Sequence, residues 1–196
     1  MGSARTASFD LTGRRRGIFL DRDGVLNEAL ERNGKPHPPA SRADVRLVPG
    51  ALEAVASLRE AGFVTVCVTN QPDVARGTLP LETAHDINTW VRSASGIDDL
   101  IACYHDDVAG CLCRKPRPGM LVEGAVRWEI DLASSYMVGD RWRDIEAGQA
   151  AGCRTVLIDR KWAERRSERE ADAVVRTVSD AITWILADRR PFETRT

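Results

Sequence analysis

Residues 19–27 read "FLDRDGVLN": an apolar pair, two aspartates with one arginine between them, a glycine, and an asparagine three positions on. Carboxylates are poor strand formers, so an apolar run that stops on Asp21 and Asp23 marks a strand whose end is given over to chemistry. On a continuing strand, residues two apart share one face, yet the chain around them would carry the second acid on along the sheet. The two carboxylates converge on one pocket only if the backbone turns directly after Asp21, and Gly24 makes such a turn available.

Outward from this stretch, short β-branched runs alternate with amphipathic ones. "RGIFLD", "FVTVCVTN", "LIACYH", "SSYMVGD" and "RTVLID" are predicted strands. "PGALEAVASLREAG", with Pro49 before it and Gly62 after, is a predicted helix, as are "LPLETAHDINTWVRSAS", "PGMLVEGAVRWEI", "RDIEAGQAAG" and "TVSDAITWILADR". Alternation of this kind predicts βαβ units and an α/β fold: a Rossmann-like, three-layer arrangement around a mostly parallel central sheet. Ligands of open parallel sheets gather at the carboxyl ends of the strands, which groups Asp21 and Asp23 with Thr69, Asn70 and Asp140. Residues 27–49 have no clear period and read as a long loop beside the first strand end, a kind of loop that is often functional.

The chain has 196 residues and is 43% hydrophobic, enough for one packed domain. Residues 1–15 read as a flexible leader, 16–190 as a single domain and 191–196 as a flexible tail. Lys plus Arg number 28 against 29 Asp plus Glu, a net charge of −1, so no global field draws in nucleic acid or an anionic membrane. The longest apolar runs fall well short of the roughly 20 residues a membrane-spanning helix needs. The run in "GRRRGIFL" stops at Asp21, too soon for the core of a secretory signal. A cytoplasmic monomer is the expectation.

Two carboxylates at one strand end offer one group for attack and one for proton transfer. Their mutual repulsion invites a divalent cation that also binds phosphate oxygens, with Asp140 as a further oxygen ligand. Thr69 and Lys115, the latter in "CRKPRPGM", would neutralise the remaining oxygens of a phosphoryl group. Taken singly, an Asp-x-Asp is more often a solvated turn, a threonine at a strand end structural, and a lone lysine solvated; the order in which they occur together is what points to phosphoryl transfer.

In that order, "DRDGVLN", "VTNQ", "CRKPRPGM" and "MVGDRWRD" resemble the four sequential motifs of the haloacid dehalogenase (HAD) superfamily of phosphatases. More narrowly they resemble its branch of heptose bisphosphate and histidinol-phosphate phosphatases, from about Gly17 to about Asp159. The resemblance implies that Asp21 is the nucleophile, forming an aspartyl-phosphate, and that Asp23 protonates the leaving sugar oxygen and then activates water. It implies that Thr69 and Lys115 hold the phosphoryl oxygens, and that Mg²⁺ sits on Asp21, the backbone carbonyl of Asp23, and Asp140, with Asp144 in support. Asn70, Gln71, Arg114 and Arg141 match positions that contact substrate. The substrate implied is a small phosphorylated sugar, a heptose 1,7-bisphosphate losing its C7 phosphate, with histidinol phosphate or another small sugar phosphate the alternative. Two departures fall where substrate is read: "EALERNGKPHP" replaces the branch's Asp-His-Gly-Tyr stretch, and Pro72 and Asp73 replace its Ser-Gly. The segments between motifs are taken up by predicted sheet and helix elements, so no cap domain is expected.

Five cysteines, three of them close together, make a poor disulfide framework. "CYHDDVAGCLC" sets Cys103, His105, Cys111 and Cys113 as C-x-H-x5-C-x-C. Four soft ligands in a short loop match a closed, structural zinc site; the plainer reading is buried, unpaired thiols. The resemblance favours zinc, since the heptose branch has such a loop before its lysine motif. Cys67 and Cys153 read as packing residues, and His37 and His85 as surface residues. Trp142 stands beside the site between two arginines.

Overall fold

A computed structural model of the chain describes residues 13–188. Residues 1–12 of the expected leader over 1–15, and the expected tail over 191–196, lie outside the described residues. The first strand, β1 (Arg15–Leu20), begins inside the stretch read as leader, because Arg15 and Arg16 pair with Ile130 and Asp131.

The elements follow the expected alternation. After β1 come β2 (Leu30–Arg32), β3 (Lys35–His37), α1 (Ala51–Glu60), β4 (Val64–Asn70), α2 (Leu81–Ser95), β5 (Asp99–Cys103), α3 (Gly119–Trp128), β6 (Ile130–Gly139), α4 (Trp142–Ala151), β7 (Arg154–Ile158), β8 (Ala173–Val175) and α5 (Val178–Ala187). Six strands form one sheet in the order β5-β4-β1-β6-β7-β8, every neighbouring pair parallel. The chain builds outward from β1 in one direction through β4 and β5, then returns to its other side for β6, β7 and β8. The reversal lies between β1 and β6, and the crevice beyond their carboxyl ends is where a ligand is expected.

Side-chain alternation explains the layers. Ile18 and Leu20 of β1 and Tyr136 and Val138 of β6 face one core with Val55 and Leu58 of α1, Ile87 and Val91 of α2 and Ile182 and Ile185 of α5. Phe19 and Met137, one residue out of step, face the other core with Met120 and Leu121 of α3 and Ala147 of α4. A strand buried on both faces reads as a continuous apolar run, which is why β1 and β4 were visible without a period.

Three parts depart from expectation. The 27–49 segment is not all loop: β2 and β3 form an antiparallel hairpin whose turn holds Asn33 (φ 54°) and Gly34 (φ 73°), the Asn-Gly pair that favours such turns. Strand β6 starts at Ile130 rather than near Ser134, with a register break opposite Arg16–Ile18. Strand β8, with three residues, is too short to show a period.

Candidate active site

The turn after β1 is a compact loop. The amides of Leu26 and Asn27 both donate to the Arg22 carbonyl (2.9 and 3.0 Å), and Gly24 N donates to Asn27 O (2.7 Å). Gly24 has φ 86°, and a Cβ there would lie 2.0 Å from Asp140 Oδ2. Only glycine lets the loop close against the end of β6.

Asp21 is buried, and two donors converge on its Oδ1: Lys115 Nζ and its neighbour's amide, Arg22 N, both at 2.8 Å. Burial, with the charge of Asp144 adding and Lys115 opposing, pushes its carboxyl up to about 6. Lys115 is 2% exposed and also reaches Asp144 Oδ1 (2.6 Å) and the Val68 carbonyl (2.7 Å). Burial alone would lower it, but the two carboxylates override that and hold it above the usual lysine value. Asp144, third residue of α4, uses its other oxygen to accept the Arg141 amide (3.0 Å). One carboxylate thus caps a helix and fixes the lysine, and Gly139 leaves room for it: a Cβ there would lie 2.1 Å from Asp144 Cβ.

Asp140, at the end of β6, accepts Trp162 Nε1–H on Oδ2 (2.7 Å), while its Oδ1 is buried with no hydrogen-bond partner. Burial and the charges of Asp21 and Asp144 raise its carboxyl well above the ordinary range. Oxygens of Asp21, Asp140 and Asp144 lie within 4.8 Å of one another. Three buried acids, one with an orphaned oxygen, fit a hard divalent cation. The Asp23 carboxylate is outside this cluster. Arg22 grips it (Nη2 to Oδ1 3.0 Å and Oδ2 2.9 Å), and Asn27 Nδ2 and Gln71 Nε2 each donate to it at 2.9 Å.

Asp21, Asp23, Thr69, Asn70, Lys115 and Arg141 open on one cavity of about 290 Å³, which Arg114 and Asp144 also line. Not every expected substrate contact faces it. Gln71 is fully buried and spends its amide on Asp23 and on Thr69 Oγ1 (2.9 Å). Asn70 lines the cavity, but its amide group is engaged with the Lys115 backbone, donating to the carbonyl (2.9 Å) and accepting the N–H (3.0 Å). Arg114 bonds Asp107 (2.9 Å), and Arg141 bonds Glu164. A wider groove of about 790 Å³ lies elsewhere, between α3, the start of β6 and the end of α4, and holds none of these groups.

The Cys/His loop closes on itself. Cys113 Sγ lies 3.3 Å from Cys103 Sγ and 3.4 Å from Cys111 Sγ, Cys103 and Cys111 are 3.8 Å apart, and His105 Nδ1 is 3.3 Å from Cys113 Sγ and 3.6 Å from Cys103 Sγ. Tetrahedral zinc–sulfur bonds of about 2.3 Å require sulfur–sulfur edges of roughly 3.8 Å, so the four ligands need only small shifts to hold zinc. Cys67 and Cys153 are buried, and His85 stacks on Tyr104 with centroids 5.5 Å apart. His37 lines the cavity, and Trp142 lies under Arg143 and Arg165.

Several residues lining the cavity or buried behind it have no role in the sequence reading. Arg22 is fully buried and donates Nη1–H to Asn88 Oδ1 (2.6 Å), an asparagine of α2 that in turn donates to Tyr104 Oη (3.1 Å). Lys35, Arg76 and Arg143 line the cavity with Asp73, Asp107 and Glu164. The Asn-Gly of β2–β3 signalled the hairpin that brings Lys35; nothing local signals Arg22 or Trp162.

A family profile described as HAD-hydrolase-like matches residues 112–181. The chain is 38% identical over 146 residues to the D-glycero-beta-D-manno-heptose-1,7-bisphosphate 7-phosphatase of Bordetella bronchiseptica, covering 72% of this chain and 79% of that one. It is 33% identical over 183 residues to the enzyme of the same name from Vibrio cholerae, covering 86% and 95%. The crystal structure of the D,D-heptose 1,7-bisphosphate phosphatase from B. bronchiseptica, complexed with magnesium and phosphate, superposes with a TM-score of 0.76 at 32% identity, covering 87% of this chain and 98% of that one.

Proposed function

The chain belongs to the HAD superfamily, in the family of heptose-1,7-bisphosphate 7-phosphatases, and from that premise we propose that it is a magnesium-dependent phosphatase that removes the C7 phosphate of a heptose 1,7-bisphosphate. The observation that carries this reading is the placement of Asp21, held through Oδ1 by a buried lysine, on the cavity beside an acid cluster with an unpartnered oxygen.

With both donors on Oδ1, Oδ2 of Asp21 is the oxygen that attacks phosphorus. The bond from phosphorus to the sugar O7 breaks as Asp23 gives that oxygen a proton, leaving an aspartyl-phosphate on Asp21 and the dephosphorylated sugar. Asp23, now a carboxylate, takes a proton from water as the water attacks phosphorus. The Asp21–phosphorus bond then breaks, releasing inorganic phosphate and restoring both acids. Thr69 holds a phosphoryl oxygen, and Lys115, whose three N–H groups reach Asp21, Asp144 and the Val68 carbonyl, redirects one of them to the phosphoryl group. Bound to Asp21, Asp140 and the Asp23 carbonyl, with Asp144 in support, magnesium would supply charge neutralisation between the carboxylates and the phosphoryl group. Asn70 and Gln71 act by fixing Lys115, Thr69 and Asp23; Arg114 and Arg141 meet the rest of the substrate.

The rim can meet a second anionic group on that substrate by exchange, since its arginines are paired with Asp106, Asp107 and Glu164. Lys35, Arg76, Arg114, Arg141 and Arg143 line one small cavity. Zinc on Cys103, His105, Cys111 and Cys113 serves as a structural clamp, since Cys113 adjoins Arg114 and Lys115 in sequence. None of the five cysteines is in a disulfide, which suits a reducing compartment, and the enzyme is a cytoplasmic monomer acting on a small sugar phosphate. Among the described residues no helix is long and apolar enough to cross a membrane.

Phosphate release on α- and β-heptose 1,7-bisphosphate, fructose 1,6-bisphosphate and histidinol phosphate tests the assignment. One heptose anomer should be hydrolysed with the highest kcat/KM, and a marked preference for histidinol phosphate would overturn the substrate. Asp21→Asn should bind that substrate and release no phosphate; retained turnover would exclude Asp21 as nucleophile.

A further inference from the structure

Beyond β7 the chain runs without regular structure through residues 159–172, and its first part is fastened to the site at successive points. Arg160 donates to the Gly24 carbonyl through Nε and Nη2 (3.1 and 2.8 Å). Trp162 donates its indole N–H to Asp140, Ala163 N donates to Gly34 O (2.7 Å), and Glu164 accepts from Arg141. The second of these points touches the acid cluster directly.

We infer that Trp162 is a positioning residue for the divalent cation: by occupying Asp140 Oδ2, its indole N–H turns the other oxygen, Oδ1, toward Asp21 and Asp144 and makes Asp140 a one-oxygen ligand. The two oxygens of Asp140 have unlike surroundings. Oδ2 has a donor at 2.7 Å, while Oδ1 is buried with no partner, in a side chain only 4% exposed. A buried acceptor without a donor is costly and is explained when a cation takes its place. A carboxylate rotates about its last bond, so without the indole either oxygen, or both, can turn inward. Magnesium needs near-ideal octahedral geometry and is bound through single carboxylate oxygens, whereas calcium accepts bidentate carboxylates and irregular shells. Donors outside the ligand set commonly govern metal affinity by about 10–100-fold. The role predicted for Trp162 is therefore to favour magnesium over calcium.

This inference rests on Asp140 being a magnesium ligand, as proposed above, and the experiment separates the two. Calorimetric titration of the purified protein with MgCl₂, and separately with CaCl₂, is carried out on wild type, Asp140→Asn and Trp162→Phe, which keeps a ring and removes the N–H. If Asp140→Asn binds magnesium as wild type does, the metal assignment fails, and this inference with it. If Asp140→Asn loses binding, Trp162→Phe should raise the magnesium Kd about tenfold or more while the calcium Kd moves much less. An unchanged magnesium Kd, or an equal loss for both ions, would overturn the inference alone, the equal loss being what a merely structural tryptophan would give. Should Trp162→Phe fail to fold, the indole N–H resonance of Trp162 in ¹⁵N-labelled wild type decides. It should shift on magnesium addition with the midpoint found by calorimetry, and a resonance that does not respond would refute the inference.

Discussion

Replacing Lys115 by methionine tests the electrostatic frame of the site, since the stem keeps its length and only the ammonium is lost. Lys115 Nζ serves Asp21 Oδ1 (2.8 Å), Asp144 Oδ1 (2.6 Å) and the Val68 carbonyl (2.7 Å) in a side chain 2% exposed. Its removal leaves two buried carboxylates with backbone donors but no cationic partner, and takes a donor from the Val68 carbonyl. Breaking a buried ion pair by removing one partner costs about 3–5 kcal/mol. At roughly 2–4 °C per kcal/mol for a chain of this size, the melting temperature in magnesium-free buffer at pH 8 should fall by about 6–20 °C.

The loss should depend on pH with a definite sign. A carboxyl whose folded-state pKa lies above its unfolded value takes up protons on folding. Its favourable contribution is complete below the unfolded value, 3.8 for Asp21, and is lost as pH rises through the folded one, about 6 with Lys115 still present. Without Lys115 the folded value rises further, so the variant is penalised most at pH 8 and recovers as the acids take up protons near pH 5. Urea unfolding of both proteins at the two pH values reads the difference. A deficit below about 1 kcal/mol at pH 8, far under the range for a broken buried pair, or a deficit that widens on acidification, would refute the reasoning.

Other outcomes follow from the same geometry. Metal analysis should find about one zinc per chain, and Cys111→Ser should lose it together with most phosphatase activity at unchanged magnesium affinity, as read by calorimetry. Asn88→Ala removes the acceptor of a buried charged donor (2.6 Å) and should destabilise by about 1.5–3 kcal/mol in urea unfolding, with a fall in kcat as Arg22 loosens its hold on Asp23. Because Asp21 and Asp140 are raised above ordinary carboxylates, magnesium affinity should rise between pH 5 and 7 with release of protons, visible as a buffer-dependent heat; a flat profile would contradict it.

The sheet was legible because strands buried on both faces read as unbroken apolar runs, and because Asp21, Thr69 and Asp140 stand where those runs stop. The order of four short motifs added which acid does what. Legibility ended where partners are distant in sequence. Arg22, charged and flanked by two acids, carries no local sign of burial, and the acceptor of its Nη1–H is Asn88, 66 residues away. Gln71 and Asn70 match substrate-contacting positions of the family that the motifs resemble; their engagement with Asp23, Thr69 and the Lys115 backbone depends on how strand ends meet. Trp162 lies in a stretch with no period, so its bond to Asp140 left no mark in the sequence.

The same division bears on how a substrate could be selected where, among the described residues, no domain covers the cavity. Asp21 and Thr69 sit at the ends of buried parallel strands, whereas the cavity rim comes from the β2–β3 hairpin, the turn over 72–76, the Cys/His loop, the start of α4 and Glu164, which are tied to one another: Ala163 N donates to Gly34 O (2.7 Å), and Arg143 of α4 reaches Asp107 (3.2 Å). The rim arginines already hold carboxylates, Arg76 on Asp106, Arg114 on Asp107 and Arg141 on Glu164. A second phosphate entering the cavity exchanges one anionic partner for another rather than adding a new attraction. Net charge therefore gives little discrimination, and what discriminates is whether the phosphate can reach the guanidinium groups at the spacing the loops impose. Substitutions in the hairpin or at Asp107 should change KM among bisphosphates while leaving the chemistry at Asp21 intact, because no strand end has to move for the rim to be rebuilt.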